Sequence, residues 1–74
     1  MPKELDTVAL TRDVPESGLK TGDLGAIVHA YADGRAYEVE FVALDGATLA
    51  LLTLPADAVR PVRQREIAHA RAIA

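Results

Sequence analysis

Only a few side chains in this sequence have the chemistry of a reactive site: His29 and His69, the single serine Ser17, the pair Glu38 and Glu40, and four arginines near the C-terminus. The histidines stand far apart, and no His-x-x-x-His or Glu-x-x-His spacing joins them, so the chain points to no metal site. With no cysteine, thiolate chemistry, disulfides and zinc ribbons are excluded. Ser17 has Glu16 beside it and no histidine nearby in sequence. A triad assembled in space would still need a pocket, which a very small β domain seldom encloses. Glu38 and Glu40 share one face of a predicted strand, with backbones about 7 Å apart. Inverting glycosidases space their carboxylates similarly, but here the pair has no cleft and reads as a solvated face. Gly18, Gly22 and Gly25 do not form a phosphate-binding loop, because no helix follows them. No cofactor motif is present, and the residues point away from an enzyme.

The arginines matter through their distribution. Up to residue 59, ten acids face Lys3, Arg12, Lys20 and Arg35, a balance of −6; Arg60, Arg63, Arg65 and Arg71 against Glu66 give the remainder +3. An acidic body therefore carries a basic tail. Such a tail reads as a solvated terminal segment that offsets the body's charge, or more sharply as a docking tail for an acidic partner or nucleic acid; the net charge of −3 argues against a general polyanion binder. No apolar run approaches the roughly 18 residues of a membrane span, and the polar start Met1-Pro2-Lys3-Glu4 has no signal core. The expectation is a cytoplasmic protein without a membrane partner.

The elements that position these groups are strands. Turn signals recur at short intervals across 74 residues, half of them apolar. Strands are expected over 5–11, 24–32, 35–43, 47–54 and 59–62. A long Pro- and Gly-containing loop fills 12–22. Pro55 to Ala58 reads as one helical turn, since Pro suits a first helical position. Pro61, lacking an N–H, belongs on an edge. Gly25 inside a strand suggests a bulge or a close backbone approach.

Asp33-Gly34 and Asp45-Gly46 are hairpin signals, read as two-residue type I′ turns. The first then opposes Val28 to Val39, Ala30 to Tyr37, His29 to Glu38 and Ile27 to Glu40. The second opposes Phe41 to Ala50, Val39 to Leu52, Val42 to Leu49 and Glu40 to Leu51. Both turns give one inner face of Val28, Tyr37, Val39, Phe41, Ala50 and Leu52. A slip of one residue would bury Glu38 and Glu40. His29 opposite Glu38 suits a cross-strand charge pair. The reverse face then carries Ile27, Val42, Leu49 and Leu51, too apolar for a face left to water.

Five strands, a long first loop, tight hairpins and a helical turn before the last strand describe an all-β domain, a small five-stranded SH3-like barrel over 1–62. A three-stranded meander with a loose first strand is the alternative. The basic tail 63–74 has helix-favouring composition, with Ile67, Ala70 and Ala74 on one thin stripe. A helix this short is marginal alone, so the tail is expected to be either a docked helix or disordered.

The runs Leu5-Asp6-Thr7-Val8-Ala9-Leu10, Asp13-Val14-Pro15-Glu16-Ser17-Gly18-Leu19 and Gly22-Asp23-Leu24-Gly25-Ala26-Ile27-Val28 resemble a family of small bacterial proteins, the domain-of-unknown-function family numbered 4926. Ala36 to Val42 and Leu51 to Pro55 fit it too, so the resemblance covers about residues 5–62. It implies no activity and no catalytic residue. More loosely, Gly-Asp-x-Gly before an apolar strand resembles SH3-like accessory folds, including KOW-type RNA-binding modules, and this implies binding rather than catalysis.

The function expected is a non-enzymatic protein-interaction module, an accessory or regulatory partner of a protein encoded nearby or a self-associating domain. Its interface would use Ile27, Val42, Leu49, Leu51 and Ile67. The alternative is a KOW-like nucleic-acid module using Arg60, Arg63, Arg65 and Arg71. Only Tyr31 is left as a stacking aromatic there, because Tyr37 and Phe41 point inward.

Overall fold

The structure, a computed structural model, describes residues 2–73. Met1 and Ala74, which close the expected domain and tail ranges, lie outside the described residues. The chain forms β1 (Thr7–Leu10), β2 (Leu24–Ala30), β3 (Ala36–Val42), β4 (Thr48–Pro55) and β5 (Val59–Pro61), with 3-10 turns at Pro15–Ser17 and Ala56–Ala58. All five strands join one antiparallel sheet in the order β4-β3-β2-β1-β5. Because β1 pairs with both β2 and β5, the three-stranded meander is excluded. β4 and β5 are the two edges, and the sheet does not close on itself.

One core joins the two halves of the sheet. Val8, Leu10 and Val59 from one half pack in a single cluster with Tyr37, Val39, Phe41 and Leu54 from the other. β2 serves both halves, pairing with β1 through Leu24–Ala26 and with β3 through Ala26–Ala30. Gly25 lies on the β1 side of that change. A Cβ there would stand 2.7 Å from Val39 Cγ1 and 2.8 Å from Phe41 Cε1, so glycine is what lets the second half fold over this backbone. The expected close approach at Gly25 is present.

The hairpins keep their places but change type. At Asp33-Gly34 only Gly34 has positive φ (70°), Gly34 N–H donates to Tyr31 C=O, and Tyr31 N–H donates to Ala36 C=O. At Asp45-Gly46 only Gly46 has positive φ (92°), and Ala43 N–H donates to Ala47 C=O across a three-residue loop. Each Asp stays in the ordinary negative-φ range, and its carboxylate accepts the N–H two residues on, from Arg35 and Ala47 respectively, at 3.0 Å. A three-residue loop ending in a left-handed Gly shifts the pairing by one. Accordingly Val42 pairs with Thr48 rather than Leu49, and the register shifts between Phe41 and Val42 to recover Phe41 with Ala50.

A second register shift, between Ile27 and His29, overturns part of the expected inner face. His29 opposes Glu38 and Ala30 opposes Tyr37 as expected, but beyond the irregularity Ile27 opposes Val39 and Ala26 opposes Glu40. Ile27 is therefore fully buried, and Val28 is the exposed member of the pair.

The loop before β2 is also more ordered than a long loop. Val14 and Leu19 bridge to each other around the Pro15–Ser17 turn, which Gly18 ends in the left-handed region, and Leu19 enters the core. The helical turn expected after β4 is a 3-10 turn that starts at Ala56, with Pro55 still in the strand. Leu5, expected to open β1, has φ +74° and is exposed, so the strand starts two residues later.

Candidate functional site

Five residues were expected to share an interface, and the structure brings three of them together. Val42 (47% exposed), Leu49 (39%) and Leu51 (56%) stand on the outer face of the β3–β4 hairpin, at or beside the edge of the sheet. Ile27 does not join them, because the β2 irregularity turns it into the core. Ile67 is 95% exposed on the tail and does not border the groove described below.

The outer face divides along its two strands. On β3, Glu38 accepts from Thr53 Oγ1 at 2.5 Å and from the Tyr31 hydroxyl at 3.4 Å, and Glu40 accepts from Thr48 Oγ1 at 2.8 Å. Both carboxylates are held by hydroxyls of neighbouring strand residues, with no histidine between them. His29 turns instead to Glu4, with Nδ1 3.6 Å from Oε2, and its ring packs edge-on against Tyr31. The cross-strand His29–Glu38 charge pair is thus replaced by a pair with the N-terminal segment. On β4, Thr48-Leu49-Ala50-Leu51-Leu52-Thr53-Leu54 carries no charge, and the strand pairs only with β3 among the described residues.

The tail corrects another expectation. It contains no helix among its described residues, only a turn at Gln64-Arg65, and two of its arginines hold it in place. Arg60 donates to both oxygens of Glu66 (2.9 and 2.6 Å) and to Pro61 C=O, while Arg63 N–H donates to Glu66 at 2.7 Å. These donors, the Arg60 guanidinium first, pull the Glu66 carboxyl down to about 2. Further on, Arg71 Nε donates to Asp23 Oδ1 at 2.9 Å and Nη2 donates to both Asp23 Oδ2 and Gly18 C=O. Arg71 lowers the Asp23 carboxyl, and Asp23 in turn raises Arg71. Arg63 and Arg65 are exposed.

Asp23 is ready for that contact because its own loop fixes it. Its Oδ2 accepts Lys20 N–H at 2.8 Å, and its N–H donates to Lys20 C=O across the Gly22 turn. Asp13 supports the same loop by accepting both Thr21 N–H and Thr21 Oγ1, the contacts that lower its carboxyl. Between this loop, the β3–β4 turn and the tail lies an open groove of about 620 Å³ with Leu24, Phe41, Val42 and Leu49 on one side and Ala68 to Arg71 on the other. The groove was not visible to sequence reasoning. Its one available signal was the acidic body with a basic tail.

Among the described residues, no group of three or more His, Asp or Glu is placed to hold a metal ion. No helix there is long and apolar enough to cross a membrane. The arrangement offers an apolar strand edge and an acidic notch flanked by apolar side chains. Comparison with curated proteins finds no match, and comparison with solved structures finds none. A family described as a domain of unknown function (DUF4926) matches residues 4–61, most of the chain, and the chain belongs to that family.

Proposed function

We propose that this chain is a non-enzymatic, SH3-like protein-interaction module, an accessory or regulatory partner that works by pairing through the β4 edge. The strand order and the 3-10 turn before β5 support the SH3-like assignment, as does the single core shared by the two halves of the sheet. The observation that carries the function is the edge strand itself. β4 runs eight residues, has no charged side chain, and presents Leu49 and Leu51 beside an unpaired row of backbone groups. Soluble domains usually block such an edge with lysine, proline or a very short strand. An edge left open fits β-strand addition by another chain, where backbone hydrogen bonds supply affinity and alternate side chains supply specificity.

The KOW-like nucleic-acid reading has less support. Arg60 and Arg71 are engaged with Glu66 and Asp23, leaving Arg63 and Arg65 and the partly exposed Tyr31. That reading requires binding that weakens steeply with salt.

Sedimentation velocity across micromolar concentrations tests the edge-pairing reading in its self-associating form, with a β-strand peptide titration for a different partner. The expected result is concentration-dependent association, or peptide binding, that Leu51→Lys abolishes while the circular dichroism spectrum is unchanged. A monomer that takes up no strand peptide, with Leu51→Lys indistinguishable from the parent chain, would remove the proposal.

A further inference from the structure

We infer that the notch formed by Asp23 and the Gly18 carbonyl is a recognition site for an extended peptide segment bearing an arginine, followed two residues later by an aliphatic side chain, and that the chain's own tail closes this site in cis. This rests on the reading of the domain as a binding module but concerns the groove beside the β4 edge, which Val42 and Leu49 border and Leu51 does not.

Three features of the notch match that occupant. First, its acceptors fit a guanidinium. Two carboxylate oxygens and one backbone carbonyl receive Nε and Nη2 of Arg71, a planar fork that lysine cannot reproduce. Second, the contact is sheltered. Only 19% of the Asp23 side chain and 28% of Arg71 remain exposed, against 82% for Asp57 in its surface pair with Arg12. Third, the surroundings are acidic and apolar together. Asp13 adds to the field on Arg71, and Ile73 reaches the groove that Leu24 and Leu49 line.

The cis arrangement is a competitive one. Among the described residues, the side-chain hydrogen bonds that tie the segment after β5 to the domain are those of the Arg60–Glu66 turn and of Arg71. Residues 68–73 lie outside every regular element, so their release unfolds no strand. A tethered segment competes at an effective concentration set by its linker, on the order of millimolar for short flexible linkers. A segment of the same chemistry on another chain would have to displace it. Displacement of the tail would then uncover the Asp23 carboxylate, whose side chain is 19% exposed with Arg71 in place. That is autoinhibition by an internal ligand, with the affinity in trans reduced by the fraction of time the notch is closed.

The test is an NMR titration of the full chain with a synthetic peptide of the sequence Ile-Ala-His-Ala-Arg-Ala-Ile, in the parent and in Arg71→Ala. The expected result is that the peptide shifts the amides of Gly18, Leu19, Asp23 and Leu24 in both, with about tenfold tighter binding in Arg71→Ala, where the internal competitor is weakened. The double variant Arg71→Ala with Asp23→Asn should lose the shifts, and so should a peptide whose arginine is replaced by lysine. Asp23→Asn keeps an acceptor for Lys20 N–H and so preserves the turn. No shift in Arg71→Ala, or equal shifts from the lysine peptide, would overturn the inference. Should Arg71→Ala fail to fold, the parent chain at higher peptide concentration decides the matter by the same four amides. Leu51→Lys, which removes the β4 edge, should leave this titration unchanged, so the two readings fail separately.

Discussion

The two edges of this sheet are built to opposite rules. β5 is three residues long, ends in Pro61, carries Arg60, and is followed at once by a turn in which Glu66 ties Arg60 and the Arg63 amide together. Little of its outer edge is left for another strand to pair with. β4 is eight residues long and uncharged, and shows two leucines to solvent. In one small domain, the short edge combines a charge, a proline and a clasp on a strand of three residues, whereas the long edge has only the irregularity beside its turn and Pro55 at its last position. Protection is therefore concentrated on β5 and stands only at the two ends of β4, leaving the stretch from Leu49 to Leu54 without charge or proline. The difference locates binding on β4 more sharply than the exposed leucines would alone, because isolated exposed leucines are ordinary on any protein surface.

The two edges are joined through one core, and Gly25 is the place to disturb its packing. Gly25→Ala puts a methyl group into Val39 Cγ1 and Phe41 Cε1, both in side chains with almost no exposure. Neither the β-branched Val39 nor the packed Phe41 ring has room to give way. A loss of about 1–3 kcal/mol is expected from overpacking, read by urea denaturation. A smaller loss would mean that the halves are not pressed together at this point.

A smaller effect is expected at the end of β4. Gly46 stands at φ +92° with open space where a Cβ would go, so Gly46→Ala meets only the backbone penalty of the left-handed region. The expected cost is roughly 1–2 kcal/mol. The variant also sharpens the comparison, because this turn stands beside the register shift at Val42, the device that interrupts the β4 edge at its first residues. If the turn relaxes to a two-residue loop, Val42 should come to oppose Leu49, seen as a changed pattern of cross-strand nuclear Overhauser contacts. An unaltered pattern would show that the shift belongs to the strand and not to its turn.

These two glycines mark how far the sequence could be read. The hairpin positions were legible because Asp-Gly has few uses other than a turn, and the pairing near each turn followed from alternation. Turn type was less legible. Asp45 can adopt positive φ, but here its carboxylate caps the amide of Ala47 from the ordinary backbone range. The exchange of Ile27 for Val28 was hidden for a different reason. Both are β-branched and apolar, so alternation fits either one inside, and the choice falls to the β1 pairing and the packing around Gly25, which involve residues distant in sequence. The helix alternative for the tail rested on local composition, whereas the contact that ties the tail to the domain, Arg71 to Asp23, spans 48 residues. The sign of that contact was present in the charge asymmetry, but not its partner.

The gentlest test addresses the protected edge. Glu66 is held down at about 2 against an ordinary 4.5, chiefly by Arg60. A carboxyl lowered by folding contributes stability that is fully present above its ordinary value and is lost as pH falls through its folded value. The turn after β5 should therefore stay closed down to about pH 4.5 and open progressively toward pH 2, with Asp23 and Asp13, also lowered, weakening the groove in the acid range. The carboxyl carbon shift of Glu66, followed by NMR, should titrate with a midpoint near 2. In Arg60→Ala the midpoint should rise toward the ordinary value, with the sheet amides little changed, because both partners are partly exposed and such pairs contribute modestly to global stability. A midpoint near 4.5 in the parent chain would mean that the Arg60–Glu66 clasp does not form in water. The β5 edge would then be guarded by its shortness and by Pro61 alone, and the contrast with β4 would be one of strand length rather than of charge.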